Sequence, residues 1–375
     1  MVAPLSRVAG VRVGEGTGVR VPAKPAVCLV FPHVLLGGGE TAMMAVAEGL
    51  RAEVDLHVCA LDNAPATVEA TLREELEERF GAVTFVRHRW ELRPCFRAAD
   101  AVLWYGVVNA VPDVLSSLER RPVSVRVVHT DRAVDGPGFH RRWRRVIDRT
   151  VCVSPAGARR IPGAVFIPNT CSADRLCGPR VELFPPGRRT LGILGRLVPQ
   201  KNAVWLVENA AALDCNLALQ ALDTPLQSAA DLMSLAERQG IADHVRFLPP
   251  GRDVGTLLRS VDAVVIASQH EGFPMVAVEA GLLGTPVIAT RVGALPEVFP
   301  DQILFVDSGE DGLPDLASMR SAVAQVGPLW GRRLRARVEE VCSREAVVAR
   351  YLEVLQSAWG SNDQLSPSRS SSIHS

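Results

Sequence analysis

The chain has 375 residues, which suits two domains of ordinary size better than one. Hydrophobic residues make up 47% and charged residues 22%, as in an ordinary globular protein. Because 41 Lys and Arg residues balance 41 Asp and Glu residues, no overall field favours binding to nucleic acid or to an anionic membrane.

The termini and the cysteines indicate an intracellular protein. Residues 1–24 lack the continuous apolar stretch of a signal peptide, and no window resembles a transmembrane helix. The eight cysteines form no C-x-x-C pair and no zinc-finger spacing with histidine. We therefore expect reduced thiols, a cytoplasmic location, and disordered ends over residues 1–24 and 361–375, the latter rich in serine.

Short β-branched runs alternate with longer helical stretches along most of the chain. The first series of predicted strands covers residues 26–31, 54–59, 83–86, 101–105, 124–128, 150–153 and 165–167. The second series covers residues 191–194, 217–221, 245–247, 263–267, 286–289 and 303–306. Apolar strands that are separated by helices imply parallel sheets covered on both faces.

A segment rich in Pro, Gly and Arg, residues 177–190, separates the two series and is predicted to be a linker. We therefore predict an α/β protein with two Rossmann-like, doubly wound domains over residues 25–183 and 184–342. A helix over residues 343–360, which begins at Ser343, is predicted to pack back across the joint. Ligands should bind in the cleft formed by the carboxyl ends of the strands.

The stretch FPHVLLGGGETAM, residues 31–43, fits a dinucleotide-binding turn by spacing. Gly37, Gly39 and Ala42 have the G-x-G-x-x-G/A pattern, and Asp62 lies about 20 residues further on, so one reading is an NAD-dependent dehydrogenase. In that fingerprint the first glycine follows the strand directly, whereas residues 32–36 intervene here. The other interpretation is that the glycines form one side of a different ligand site, where the absence of side chains lets a phosphorylated ligand approach the backbone closely.

The segment SQHEGFPMVAVEAGLLGTPVIAT, residues 268–290, carries two carboxylates after a predicted strand. Glu271 lies in a loop before a helix, where backbone N–H groups can hold an anion. Pro274 suits the first helical position and Gly284 the C-terminal cap. Glu279 lies inside the apolar helix, where a carboxylate needs either a basic partner from the protein or a hydroxyl from a ligand.

Upstream, LGILGRLVPQKN, residues 191–202, carries Arg196 and Lys201 just after a predicted strand. These two cations are either solvated surface residues or a pair that neutralises a diphosphate, which needs about two positive charges. Their place at the carboxyl end of a parallel strand is one where ligands bind.

GRLVPQKN followed by EGFPMVAVEAGLLGTPVIATRVGALPEV closely resembles the donor site of retaining GT-B glycosyltransferases of the glycosyltransferase family 4 type. The resemblance extends over most of residues 26–358 and includes GGGE, VVHTD, FIPNT and a closing Ser-x-Glu…Tyr helix. It implies the GT-B fold. It also implies that Arg196 and Lys201 neutralise the diphosphate of a nucleotide sugar, that Glu279 binds its ribose, and that Glu271 holds its sugar.

The same resemblance implies the rest of the site. His129, at the end of a strand, would reach the sugar or the acceptor, and His270 stands where relatives often carry an aromatic or a small residue. With the two cations and two glutamates, the residues expected to contact the donor are Gly38, Gly39, His270, Gly272, Phe273, Pro274, Met275 and Val276. ALDTP, residues 221–225, replaces a Gly-Asp-Gly-like turn, which leaves recognition of the base open.

The implied reaction is transfer of a hexose or N-acetylhexosamine, with retention, from a nucleotide-diphosphate sugar, UDP-sugar foremost, to a hydroxyl acceptor. No cofactor is expected besides this co-substrate, and no metal, because the chain has no Asp-x-Asp. Usage rich in Ala, Arg and Val is typical of GC-rich bacterial genes, and a small molecule or natural product such as an aminoglycoside is the favoured acceptor. A cell-envelope polysaccharide or lipid transferase, a nucleotide-sugar epimerase and a non-catalytic scaffold stay open, as does the oligomeric state.

Overall fold

The computed structural model describes residues 24–33, 37–62, 70–106, 109–129, 143, 145–251 and 253–363. Two parallel sheets dominate these residues, and every strand predicted from the sequence overlaps one of their strands. The predicted α/β class and the two doubly wound domains are therefore confirmed. Most of the predicted disordered ends, residues 1–23 and 364–375, lie outside the described residues.

The first sheet has the strand order β3-β2-β1-β4-β5-β6-β7. Its strands are β1 Ala26–Phe31, β2 Asp55–Leu61, β3 Val83–Val86, β4 Ala101–Tyr105, β5 Val123–Val128, β6 Arg149–Cys152 and β7 Val165–Phe166. The order reverses between β1 and β4, which opens a crevice at the carboxyl ends of these two strands.

The second sheet repeats this plan in the order β10-β9-β8-β11-β12-β13. Its strands are β8 Arg189–Arg196, β9 Cys215–Leu222, β10 Val245–Leu248, β11 Ala263–Ile266, β12 Val287–Thr290 and β13 Leu304–Val306. Arg189 and Thr190 fall in the predicted linker but belong to β8, because they pair with Cys215 and Asn216 of β9. The order reverses between β8 and β11, so a second crevice opens there.

Helices cover both faces of each sheet. In the first domain they are Gly38–Leu50, Ala70–Phe80, Leu92–Ala98, Ala110–Ser116 and Pro155–Arg160. In the second domain they are Ala203–Leu213, Ala229–Arg238, Gly255–Ser260, Met275–Leu283, Leu295–Val298, Leu316–Gln325 and Pro328–Val341. Alternate residues of β1 enter two different apolar clusters, Leu29 on one face and Cys28 and Val30 on the other, which is why these strands read as unbroken apolar runs.

The last helix, Arg344–Asp363, returns to the first domain and packs on the Gly38–Leu50 helix and on β5. Tyr351 is buried there, with its hydroxyl 4.0 Å from the sulfur of Met43. The helix runs past the predicted end at residue 360, so the predicted disordered tail was wrong for residues 361–363. Gly360 lowers helix propensity without breaking the helix, and no proline follows before Pro367.

Candidate active site

A cleft of about 370 Å³ lies between the two domains at the carboxyl ends of their strands. The ends of β8, β9 and β11 line one side, and the start of the Gly38–Leu50 helix lines the other. Every donor or catalytic residue expected from the sequence lines this cleft, namely Gly38, Gly39, His129, Arg196, Lys201, His270, Glu271, Gly272, Phe273, Pro274, Met275, Val276 and Glu279. The structure thus brings together residues that lie more than 200 positions apart in the chain.

The strand β8 and the turn that follows it position the two cations, Arg196 and Lys201, in the cleft. Gly195, near the end of β8, has a φ of +128°, a conformation that residues with side chains rarely adopt. Arg196 follows it, and a short 3-10 turn, Pro199–Lys201, leads into Asn202. The Asn202 side chain donates a hydrogen bond to the carbonyl oxygen of Ala267 at 2.8 Å, which ties this turn to the end of β11.

Lys201 forms an ion pair with Glu271 across the cleft floor. Ser268 Oγ also donates a hydrogen bond to Glu271 Oε1 at 2.8 Å. Both charged side chains stay partly exposed, at 26% for Lys201 and 14% for Glu271, so a ligand can reach them. Arg196 has no ion-pair partner within the described ranges, and it is therefore the cation whose charge is directly available.

The loop that carries Glu271 packs against the backbone of Gly293, the glycine of RVGALPEV. Gly293 has a φ of +55°, and a Cβ built there would lie 2.4 Å from the carbonyl oxygen of Gly272 and 2.7 Å from that of Glu271. The next residue, Ala294, donates its backbone N–H to the same Gly272 oxygen at 2.8 Å. Only glycine allows this close backbone approach, which positions the loop over the start of the Met275–Leu283 helix.

Glu279 is buried in the Met275–Leu283 helix, with 2% of its side chain exposed. Its Oε1 accepts a hydrogen bond from Arg175 Nε at 2.9 Å, and the Arg175 side chain is only 11% exposed. Arg175 belongs to a 3-10 turn, Ala173–Leu176, at the junction between the domains. The structure therefore supplies the basic partner that a buried carboxylate requires, while both residues still line the cleft.

The first domain presents glycine backbone and a buried histidine to the cleft. A Cβ on Gly38 would lie 3.3 Å from Met275 Cγ, and one on Gly39 would lie 3.6 Å from the His129 ring. The His129 ring packs edge-to-face on Tyr105 with the ring centroids 5.3 Å apart. Burial lowers the pKa of His129 to about 4, so its imidazole is neutral at physiological pH. Its Nε2 has no hydrogen-bond partner among the described residues.

Glu40, the glutamate of GGGE, directly follows these glycines in the first turn of the Gly38–Leu50 helix and is 6% exposed. Tyr105 donates its hydroxyl to Glu40 Oε1 at 3.3 Å, and His33 Nε2 lies 3.6 Å away. Burial raises the pKa of Glu40, whereas the positive charges of His33 and Arg196 oppose that rise. A carboxylate from the first domain therefore lies within electrostatic range of Arg196, the last residue of β8.

The sequence interpretation missed several residues that build the cleft. Arg175 gave no local signal, although the buried Glu279 predicted that some cation would pair with it. Asn169, in FIPNT, is buried and donates from Nδ2 to the carbonyl oxygen of Phe273 at 3.1 Å, which joins the two domains. Pro274 proved to be the N-cap residue, one position before the helix, because its ψ of 118° is extended.

Two further sequence features have clear positions. Asp62, the candidate ribose ligand of a dinucleotide site, lies just beyond β2 and accepts a hydrogen bond from Arg73 Nη2 at 2.8 Å. Its carboxylate is 7% exposed and absent from the cleft lining, which disfavours the NAD reading. From ALDTP, Ala221 and Leu222 line the cleft at the end of β9.

The helices of the described ranges include none with the length and hydrophobicity needed to cross a membrane.

Residues 179–312 match the family model of glycosyl transferases group 1. The D-inositol 3-phosphate glycosyltransferase of Actinosynnema mirum is 33% identical over 162 residues, 40% of this chain and 39% of that protein. The protein of the same name from Saccharomonospora viridis is 35% identical over 160 residues, 35% of this chain and 37% of that protein. The match thus spans about two fifths of the length of these relatives.

Solved structures share the fold over nearly the whole chain. Anabaena HepE in complex with UDP has a TM-score of 0.69 at 16% identity, covering 89% of this chain and 100% of that chain. The sucrose-phosphate synthase of Thermosynechococcus elongatus has a TM-score of 0.65 at 17% identity, covering 90% of this chain and 100% of that chain. With the sheet orders, these likenesses show that the chain has the GT-B fold, and the segment that matches the group 1 glycosyltransferase model lies in its second domain.

Proposed function

We propose that the protein is a retaining glycosyltransferase that moves a hexose or N-acetylhexosamine from a UDP-sugar to a hydroxyl group of a small polar acceptor. The observation that carries this proposal is the arrangement of Arg196, Lys201 and Glu271 on one side of the cleft. They face the backbone of Gly38 and Gly39 across it. Two cations suit a diphosphate, one carboxylate suits sugar hydroxyls, and glycine backbone lets the phosphates approach the opposite domain closely.

The buried Glu279 fits a ribose ligand in this scheme. Its Oε1 is bound to Arg175 Nε, and a carboxylate offers more than one acceptor position. Arg175 would therefore hold the carboxylate in a fixed orientation while it accepts hydrogen bonds from the hydroxyl groups of the nucleoside. UDP and UDP-glucose are the ligands named in HepE complexes of the same fold, which supports a uridine nucleotide.

Transfer with retention would proceed on one face of the sugar. The bond from the anomeric carbon to the diphosphate oxygen breaks, and the acceptor oxygen bonds to that carbon from the same side. The acceptor's proton passes to the departing diphosphate oxygen, whose new negative charge Arg196 and Lys201 stabilise. Catalysis is then positioning plus stabilisation of the leaving group by fixed charges, and it requires no metal.

His129 would assist as a neutral group in this reaction. Because burial lowers its pKa to about 4, it is not a cation at the pH of catalysis. The Nε2 atom, buried and without a partner among the described residues, can donate to or accept from a sugar hydroxyl. We infer that it orients the transferred sugar or the acceptor hydroxyl.

A small polar acceptor is supported by the curated relatives, whose names give inositol 3-phosphate as the substrate. Their similarity reaches less than half of this chain, so we propose only the class, a compact polyhydroxy molecule or natural product, and the aminoglycosides are members of that class. All eight cysteines are free, which fits a reducing compartment, and we propose the cytoplasm.

The test is a donor screen that measures released UDP from a panel of UDP-sugars with pooled acceptors, in the presence of EDTA, followed by mass spectrometry of the product. Arg196→Ala and Lys201→Ala should each lower kcat/KM by about 10²–10³-fold, because each removes a fixed charge on the leaving group. Lys24→Ala is the matched control, since Lys24 is the chain's other lysine and is exposed away from the cleft. Wild-type rates in both cleft variants would refute the donor assignment.

The same assay separates the remaining alternatives. An epimerase would convert the UDP-sugar without any acceptor, and product would then appear in acceptor-free controls. A scaffold with a degenerate site would bind no nucleoside diphosphate in calorimetry. A dehydrogenase would bind NAD, whereas our assignment expects no heat from NAD and clear heat from UDP.

A further inference from the structure

Four side chains with sulfur or nitrogen donors meet on the far side of the first sheet, outside the cleft. His57 and Cys59 lie two residues apart on β2 and therefore point to the same face. Cys28 of β1 pairs in register with His57, and Cys95 comes from the helix Leu92–Ala98 that covers this face. We call these four residues, Cys28, His57, Cys59 and Cys95, the thiol cluster.

The spacing of three members of the thiol cluster matches that of metal ligands. The donor atoms of His57, Cys59 and Cys95 all lie within 4.8 Å of one another. Cys28 Sγ is 3.6 Å from Cys59 Sγ. Two thiolates that each bind zinc at about 2.3 Å with tetrahedral angles lie about 3.8 Å apart, close to this separation.

The orientation of His57 is a second, independent observation. Its Nε2 lies 3.1 Å from Thr84 Oγ1 on the neighbouring strand β3. Histidines that bind metals usually donate their other ring N–H to an oxygen acceptor, which fixes the tautomer and the ring plane. With Nε2 donating to Thr84, Nδ1 carries the lone pair that a metal would use.

Access and donor chemistry select the kind of ion. His57 is only partly buried, which gives an entry path from solvent, whereas Cys28, Cys59 and Cys95 are buried among apolar side chains. The cluster contains no carboxylate, so it does not suit Ca²⁺ or Mg²⁺. Thiolates with one imidazole form the donor set of closed tetrahedral zinc sites.

We propose that the thiol cluster is a structural zinc site, with His57, Cys59 and Cys95 as its three ligands and Cys28, which lies beside Cys59, as a fourth donor that moves toward the ion on binding. Zinc displaces the thiol protons into solvent and fastens the helix Leu92–Ala98 to β1 and β2. Binding to the folded state alone stabilises the first domain. The site is separate from the cleft, so its metal takes no part in the proposed transfer.

The test uses the full chain, purified under reducing conditions without chelators and measured for zinc by mass spectrometry. The chelated protein is then titrated with Co²⁺, which in a cysteine site gives thiolate-to-cobalt charge-transfer absorption. We expect stoichiometric metal, this absorption, and a rise in melting temperature on adding zinc. Cys95→Ala and His57→Gln should abolish the absorption and the zinc-dependent rise, and Thr84→Val should weaken metal affinity by about 10–100-fold.

Cys215→Ala is the matched control, because Cys215 is an equally buried free thiol in the second domain. It should bind cobalt as the wild type does. If Cys95→Ala does not fold, His57→Gln decides, since that side chain lies at the partly exposed side of the cluster. No charge-transfer absorption in the wild type, or equal cobalt binding by wild type and His57→Gln, would overturn the proposal.

Discussion

The ion pair between Arg175 and Glu279 yields the most decisive prediction, because each partner belongs to a different part of the molecule. Arg175 comes from the 173–176 turn at the domain junction, and Glu279 from the middle of an apolar helix. Their side chains are 11% and 2% exposed. The substitution Arg175→Met keeps most of the side-chain volume and leaves the Glu279 charge buried without its cation.

The expected cost follows from that burial. Breaking a buried pair by removing one partner costs about 3–5 kcal/mol, because an uncompensated charge stays in a poorly solvated site. For a domain of this size, roughly 2–4 °C of melting temperature is lost per kcal/mol, so Arg175→Met should melt about 6–20 °C below the wild type. The double variant Arg175→Met/Glu279→Gln removes the orphaned charge and should recover most of that loss.

Two measurements separate the structural role of the pair from its role in binding. Urea unfolding at neutral pH gives the coupling energy from the two single variants and the double variant, and calorimetry gives the affinity for UDP. We expect the double variant to regain stability but to bind UDP more weakly, since a carboxamide replaces the carboxylate that receives the ribose. If Arg175→Met melts with the wild type, or if the double variant binds UDP as the wild type does, the reasoning is refuted.

Three further perturbations test the cleft. His129 has a pKa lowered by burial to about 4 against 6.5 in the unfolded chain; the unfolded state therefore takes up a proton first as pH falls. The free energy of unfolding should drop by about 3 kcal/mol between pH 7 and pH 4 on this account, and His129→Gln should flatten that dependence in urea titrations. Burial raises the pKa of Glu40, so the stability that its protonated form contributes is lost as pH rises through that raised value. Glu40→Gln should unfold at higher urea than the wild type above that pH, and an unchanged midpoint would contradict this. Gly293→Ala should reduce both stability and UDP affinity because its Cβ meets two carbonyl oxygens at 2.4 and 2.7 Å, whereas Gly240→Ala, with a φ of +68° and open space, should cost only about 1 kcal/mol and leave UDP binding intact.

The sheets could be predicted from the sequence because their strands are buried on both faces. Such strands appear as uninterrupted apolar runs, and two of them, β1 and β4, have the predicted ends, as does the half-buried β3. Differences of two residues occur at the carboxyl end of β2 and at both ends of β8. They also occur at the amino end of β9, which pairs with that of β8. At the amino ends of β8 and β9, the two strands stay hydrogen-bonded through polar residues such as Arg189 and Asn216. Hydrogen bonding between strands cannot be detected from local hydropathy, so these residues were not predicted as strand.

The cleft could be predicted only where a motif is local. The loops that carry Arg196, Lys201 and Glu271 are short segments whose residue types and spacing suffice. The Arg175–Glu279 contact joins residues 104 positions apart, and no periodicity relates them. The thiol cluster could not be predicted from the sequence for the same reason. Its four residues come from two strands and a helix and therefore lack the spacing of a sequence motif.

The two ion pairs of the cleft differ in a way that bears on how a donor would bind. Lys201 and Glu271 are partly exposed, so a diphosphate can replace the carboxylate as the partner of Lys201 at little desolvation cost. Glu271 is then released toward the sugar while Ser268 still holds it. Glu279 has no such freedom, since its pair with Arg175 is buried and would be expensive to break. On the proposed function, Lys201 exchanges Glu271 for the diphosphate when the donor binds. The Arg175–Glu279 pair stays intact and positions the ribose.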